Sequence, residues 1–128
     1  MSDQSDKHDR MFAYRQITHV PKPWGYELIF AHTDRYVGKI LHINQGESLS
    51  LQYHEMKEET LYVVAGELKL TIEHDGDRRE VPLRKGEAFH IPPRLIHRMY
   101  AVEETDVAEV STPELQDVVR LEDRYGRT

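Results

Sequence analysis

The stretch Ser48-Leu49-Ser50-Leu51-Gln52-Tyr53-His54 alternates polar and apolar residues, and Gln52 and His54 stand two apart. In an extended strand, residues so spaced project from one face. Glu59 follows His54 by five positions, just ahead of Leu61-Tyr62-Val63-Val64, and shares a strand face with Leu61 and Val63. A carboxylate on an apolar, inward face needs a partner, because burying it unpaired is costly. His97 arrives from the other half of the chain. Two imidazoles, a carboxylate and an amide oxygen brought together in a closed sheet would suit a divalent first-row metal. Parity alone leaves open whether the Gln52–His54 face is lumen or water, since Leu49, Leu51 and Tyr53 opposite are apolar enough to be covered.

Strands must position these groups, and strand signals recur along the chain while helical periodicity is scarce. Residues 25–31 read as a first strand and 35–43 as a second, with Lys39, Leu41 and Ile43 on one face. The turn at Asn44–Glu47 feeds 48–54. Two apolar runs flank Ala65-Gly66, where glycine permits a bend. Asp75-Gly76 has the chemistry of a tight hairpin turn. Further short strands follow at 79–83, 88–92, 96–102 and 104–111, the third broken off from its predecessor by Pro92-Pro93. Thr112-Pro113-Glu114 reads as the start of a short helix, and 117–121 as extended. Many short strands punctuated by glycine and proline predict an all-β sandwich or, better, a small β-barrel.

At 128 residues with a formal charge of −6, the chain reads as one domain whose acidity argues against nucleic acid or an anionic membrane as partner. It has no cysteine, which rules out disulfides, thiolate nucleophiles and cysteine-bound metal. Residues 1–16 read as an untargeted, mobile polar arm before a single domain over 17–128. No apolar run approaches the ~20 residues that span a bilayer. A cytoplasmic location is the expectation.

The spacings resemble a family. Cupins carry a motif of the form G-x5-H-x-H-x(3,4)-E-x6-G and a second of the form G-x5-P-x-G-x2-H-x3-N. Gly46, Gln52, His54, Glu59 and Gly66 reproduce the first, with glutamine in place of the first histidine. Gly86, Pro92 and His97 reproduce the second, with Arg94 in place of its glycine and Ala101 in place of its asparagine. The resemblance implies a cupin barrel, that is, a double-stranded β-helix or jelly roll. Within cupins, the run Leu49-Ser50-Leu51-Gln52-x-His54 is similar to the C-terminal domain of type II phosphomannose isomerases. Residues 22–27, 91–98 and 117–127 agree with that likeness, which covers about 19–127; nothing in the chain resembles that family's nucleotidyltransferase domain.

What the resemblance implies is one divalent metal, zinc first with manganese, nickel or iron as alternatives, held by Gln52, His54, Glu59 and His97. It also implies aldose–ketose isomerisation of a sugar phosphate such as mannose 6-phosphate. Lys57 stands where the family usually has a basic residue. Beside a dication its pKa would be lowered, making it the first candidate for the base that moves the C1–C2 proton; Glu59 or metal-bound hydroxide are alternatives. Glu55 and Met56 replace histidines of the family, which puts the substrate more in question than the metal. Lys39, Arg94 and Arg120 are the candidates for holding a phosphate, with Lys22 and Arg124 as further options. Trp24 reads as a ring that caps the barrel or makes a subunit contact. Two other functions compete: a sugar-binding or regulatory cupin without activity, and a non-haem iron oxygenase using His54, Glu59 and His97. The expected partners are a sugar or sugar phosphate and a second copy of the chain, with residues 12–20 as an exchanged arm.

Overall fold

The computed structural model describes residues 17–128. The expected arm at 1–16, and residues 12–16 of the expected exchanged segment, lie outside the described residues. Eleven strands fill the rest: β1 (Thr18–Lys22), β2 (Gly25–His32), β3 (Val37–Ile43), β4 (Leu51–Tyr53), β5 (Glu59–Ala65), β6 (Glu67–His74), β7 (Asp77–Arg84), β8 (Ala88–Ile91), β9 (Ile96–Ala101), β10 (Thr105–Ser111) and β11 (Val119–Glu122). They form a six-stranded sheet in the order β1-β2-β3-β10-β5-β8 and a five-stranded sheet in the order β11-β4-β9-β6-β7. From β3 onward the chain changes sheet at every connection except the β6–β7 hairpin. The fold is the all-β jelly roll expected of a cupin.

Alternation drives the packing. Inward residues of β3, β5, β6, β9 and β10, among them Leu41, Leu61, Leu70, Met99 and Val107, form one buried cluster between the sheets. Each such side chain contributes about 1.5–3 kcal/mol by leaving water. Trp24 joins this cluster, as a barrel-capping ring should.

Gly66 makes the crossover from β5 to β6 with φ of 89°, and a Cβ there would lie 2.2 Å from the Glu104 carbonyl oxygen. Only glycine fits. Asp75 and Gly76 both adopt positive φ in the β6–β7 hairpin, the signature of a type I′ turn.

Two local expectations are corrected. β1 was not anticipated from sequence: it is polar, contains Pro21 and sits at the edge of its sheet, where a strand proline is tolerated. It pairs with β2 of the same chain. The short helix at Thr112 does not form. The Thr112 hydroxyl accepts the Glu58 N–H at 3.0 Å instead of capping its own segment, and residues 112–118 run as turns. Among the described residues, no helix is long and apolar enough to cross a membrane.

Candidate metal centre

Three strands deliver the central groups. Gln52 on β4 and His97 on β9 are direct cross-strand partners, His54 follows β4, and Glu59 opens β5 in the other sheet. His54, Glu59 and His97 are all buried, and one donor atom from each lies within 4.8 Å of the other two.

Hydrogen bonding fixes what those atoms offer. His54 Nδ1 is 2.5 Å from the Asp117 carbonyl oxygen, and His97 Nδ1 is 2.8 Å from that of Leu95. A carbonyl oxygen only accepts, so each Nδ1 carries a proton and each neutral ring presents a bare Nε2 lone pair. His54 Nε2 points at Glu59 Oε1 from 3.0 Å and His97 Nε2 from 3.4 Å. The latter nitrogen is buried with no hydrogen-bond partner among the described residues. Lone pairs facing a carboxylate need positive charge between them. Donors on a tetrahedral or octahedral ion of zinc size lie about 3.0–3.4 Å apart, so these residues fit a divalent metal.

Gln52 stands beside them. Its Oε1 accepts from Ser50 Oγ at 2.5 Å, and its Nε2 lies 3.5 Å from His54 Nε2. Turning the amide over would aim the oxygen at the cluster and leave the NH2 donating to Ser50, whose hydroxyl also accepts.

The cluster borders a polar cavity of about 350 Å3. Lys57 and Lys39 both line it, yet neither is a free cation. Lys57 is 5% exposed, with Nζ 3.4 Å from Glu109 and 3.8 Å from Glu59. Burial lowers its pKa, but those two carboxylates more than offset this and the net shift is upward. Its two carboxylate neighbours thus act against the lowering that a dication would bring. Lys39 Nζ is 3.5 Å from Glu27 and 3.9 Å from Glu109. Arg120 lies opposite Gln52 on β11 and lines the cavity. Its Nη1 donates to the Thr128 carbonyl at 2.8 Å, while its Nε is buried without a hydrogen-bond partner among the described residues. Arg94 does not belong to the site. Its side chain is 78% exposed and pairs with Glu55 at 3.4 Å, outside the residues that line the cavity.

Three important residues escaped the sequence reading. Glu109 is buried at the cavity wall, and burial together with the Glu59 charge pushes its carboxyl up to about 8. Its strand parity with Val107 carried the same signal that marked Glu59. Glu27 is likewise a buried carboxylate on an inward strand face. Asp117 supplies the carbonyl for His54, and its carboxylate accepts the N–H groups of Glu55, Met56 and Lys57 at 3.1, 2.7 and 3.0 Å. No local pattern announces that contact.

The model for the cupin domain matches residues 39–112. The chain is a cupin. This cupin is 38% identical to the mannose-1-phosphate guanylyltransferase of Escherichia coli over 127 residues, which is 94% of the chain but 26% of that protein. It is 31% identical to the alginate biosynthesis protein AlgA of Pseudomonas aeruginosa, over 85% of the chain and 23% of AlgA. The chain thus spans about a quarter of the length of these relatives. Among solved structures, KdgF from Halomonas sp. superposes with a TM-score of 0.65 at 24% identity, covering 79% of this chain and 90% of KdgF. That likeness concerns the fold.

Proposed function

We propose that this cupin is a metal-dependent aldose–ketose isomerase acting on a sugar phosphate, with mannose 6-phosphate as the first substrate to test. The observation that carries the reading is the convergence of two bare imidazole nitrogens and the Glu59 carboxylate at the wall of a polar cavity. The guanylyltransferase relatives, whose name specifies a mannose phosphate, support the substrate class.

His54, Glu59, His97 and Gln52 would hold the ion. When bound, it supplies Lewis acidity that polarises the sugar carbonyl. The chain's own residues do the rest. Lys57 Nζ, kept charged by its two carboxylates, donates a proton to the carbonyl oxygen as the enediol forms and takes one back from the neighbouring hydroxyl as it collapses to the new carbonyl. Glu109 Oε2, 3.4 Å from that nitrogen, receives the proton that leaves carbon and returns it to the neighbouring carbon. Arg120, with its unpartnered Nε, orients the phosphate.

The test is incorporation of deuterium at C1 or C2 of mannose 6-phosphate and fructose 6-phosphate in deuterium oxide, followed by NMR with metal-loaded and chelator-treated protein. Metal-dependent exchange is expected. Absence of exchange across a panel of aldose and ketose phosphates would defeat the proposal, and sugar affinity without exchange would leave a binding module. A second reading, an iron oxygenase, rests on the 2-His-1-carboxylate set of His54, Glu59 and His97. Iron as the metal recovered with the purified protein, together with oxygen consumption, would favour it.

A further inference from the structure

Six charged side chains line the cavity along the six-stranded sheet, and their signs alternate in strand order. Lys22 lies on β1, Glu27 on β2, Lys39 on β3 and Glu109 on β10, with Lys57 just before β5 and Glu59 on it. Successive separations are 4.0, 3.5, 3.9, 3.4 and 3.8 Å. Charge-assisted N–H···O bonds close to about 2.7–2.9 Å when nothing else competes. Every contact in this row is longer, so each ammonium and carboxylate keeps hydrogen-bonding capacity facing the cavity.

Stability does not account for such a row. Buried ion pairs are commonly matched or bettered by apolar residues of similar size, and the cluster packed between the sheets is apolar. Lysines and carboxylates are interleaved along the row, so no stretch of it presents cations alone to an anion. What it offers is a donor beside an acceptor, repeated. A hydroxyl group, which donates once and accepts twice, fits each gap.

We infer that this row is a binding site for the successive hydroxyls of an open-chain polyol, and that Glu27 and Lys39 determine which hydroxyl configuration is accepted. The inference rests on the sugar-directed reading above and deepens it. Glu27 and Lys39 lie beyond Glu109 from the metal cluster, so they read the part of the ligand remote from the reacting carbons. A buried polar pair left facing a missing or inverted hydroxyl discriminates strongly, because its own groups then go unpaired.

The experiment uses the full chain loaded with zinc, and glucitol, mannitol and a set of monodeoxyglucitols as unreactive, phosphate-free probes, with affinities from ligand-observed NMR titration. Wild type is expected to bind glucitol or mannitol and to lose at least about tenfold in affinity for one particular deoxy analogue. Glu27→Gln should weaken the parent polyol by about the same factor and no longer distinguish that analogue. Glu27→Asp, which keeps the charge and so guards against misfolding, should show a partial loss, with zinc content and circular dichroism unchanged in both. No polyol binding by wild type, or discrimination that survives in both variants, would overturn the inference. Polyol binding without proton exchange on any sugar phosphate would instead remove the isomerase reading and leave the hydroxyl site standing.

Discussion

The Asp117 carbonyl oxygen lies 2.5 Å from His54 Nδ1, while the carboxylate of the same residue accepts three consecutive backbone N–H groups of the turn that follows His54. One residue thus sets the tautomer of a candidate ligand and the path of the chain that carries Lys57. The three amide bonds hold its carboxyl below the usual range, the one to Met56 foremost. Asp117→Ala removes these acceptors and lets the segment shift its carbonyl away from His54. The expected result is a roughly 10- to 100-fold loss of zinc affinity by chelator competition, with a stability cost of about 1–3 kcal/mol. A cobalt-substituted sample should show an altered visible spectrum, which a merely structural role would leave alone. Unchanged affinity and spectrum would refute the positioning role.

Glu109 offers a second test. It touches Lys57 and lies near Glu59, yet no metal ligand set needs it. Glu109→Gln should cut proton exchange at C1 and C2 by about 10²- to 10⁴-fold while bound metal stays at the wild-type stoichiometry. Loss of metal along with exchange would show that Glu109 builds the site and does not move the proton.

Much of the fold was legible because strand parity speaks plainly when one face is apolar. Glu59, with Leu61 and Val63 in phase, had to face inward, and it does. The motif spacing likewise brought Gln52 and His97 side by side. The surroundings of Lys57 were less legible: its neighbours in sequence are carboxylates, but Glu109 is 52 positions away and paired to it only by the fold. Arg94 was misread because a residue just after Pro92-Pro93, three before a ligand, looks close to the site, whereas the turn throws its side chain outward.

That turn has its own consequence. Arg94 holds φ of 70°, a left-handed conformation that costs a non-glycine residue about 1–2 kcal/mol. Its N–H donates to the His54 carbonyl at 2.6 Å, a bond glycine would retain. Arg94→Gly relieves the strain and loses about 0.4–1 kcal/mol through a freer unfolded chain. The exposed pair with Glu55 contributes little, so urea denaturation should show a net gain of about 0.5–1 kcal/mol. Arg94→Ala keeps the strain and should show none. A gain for alanine as large as for glycine would argue against backbone strain as the cause.

Far from the cavity, His42 places Nδ1 2.7 Å from Asp106 and Nε2 2.7 Å from Glu104, and its ring stacks on Tyr26 at 4.9 Å. Only the imidazolium has a proton for both carboxylates. The bond to Asp106 is the largest cause of a pKa raised above 6.5, although burial acts against it. A raised pKa means the native state holds the proton more tightly than the unfolded chain does. The resulting stability is fully present below the unfolded value near 6.5 and fades as pH rises through the folded one. His42→Asn cannot make the charged contacts at any pH. The stability difference between wild type and this variant, from urea midpoints, should therefore be larger at pH 6 than at pH 9. A difference that stays constant, or grows with pH, would mean that His42 is neutral in the folded protein and that the two carboxylates are held by something else.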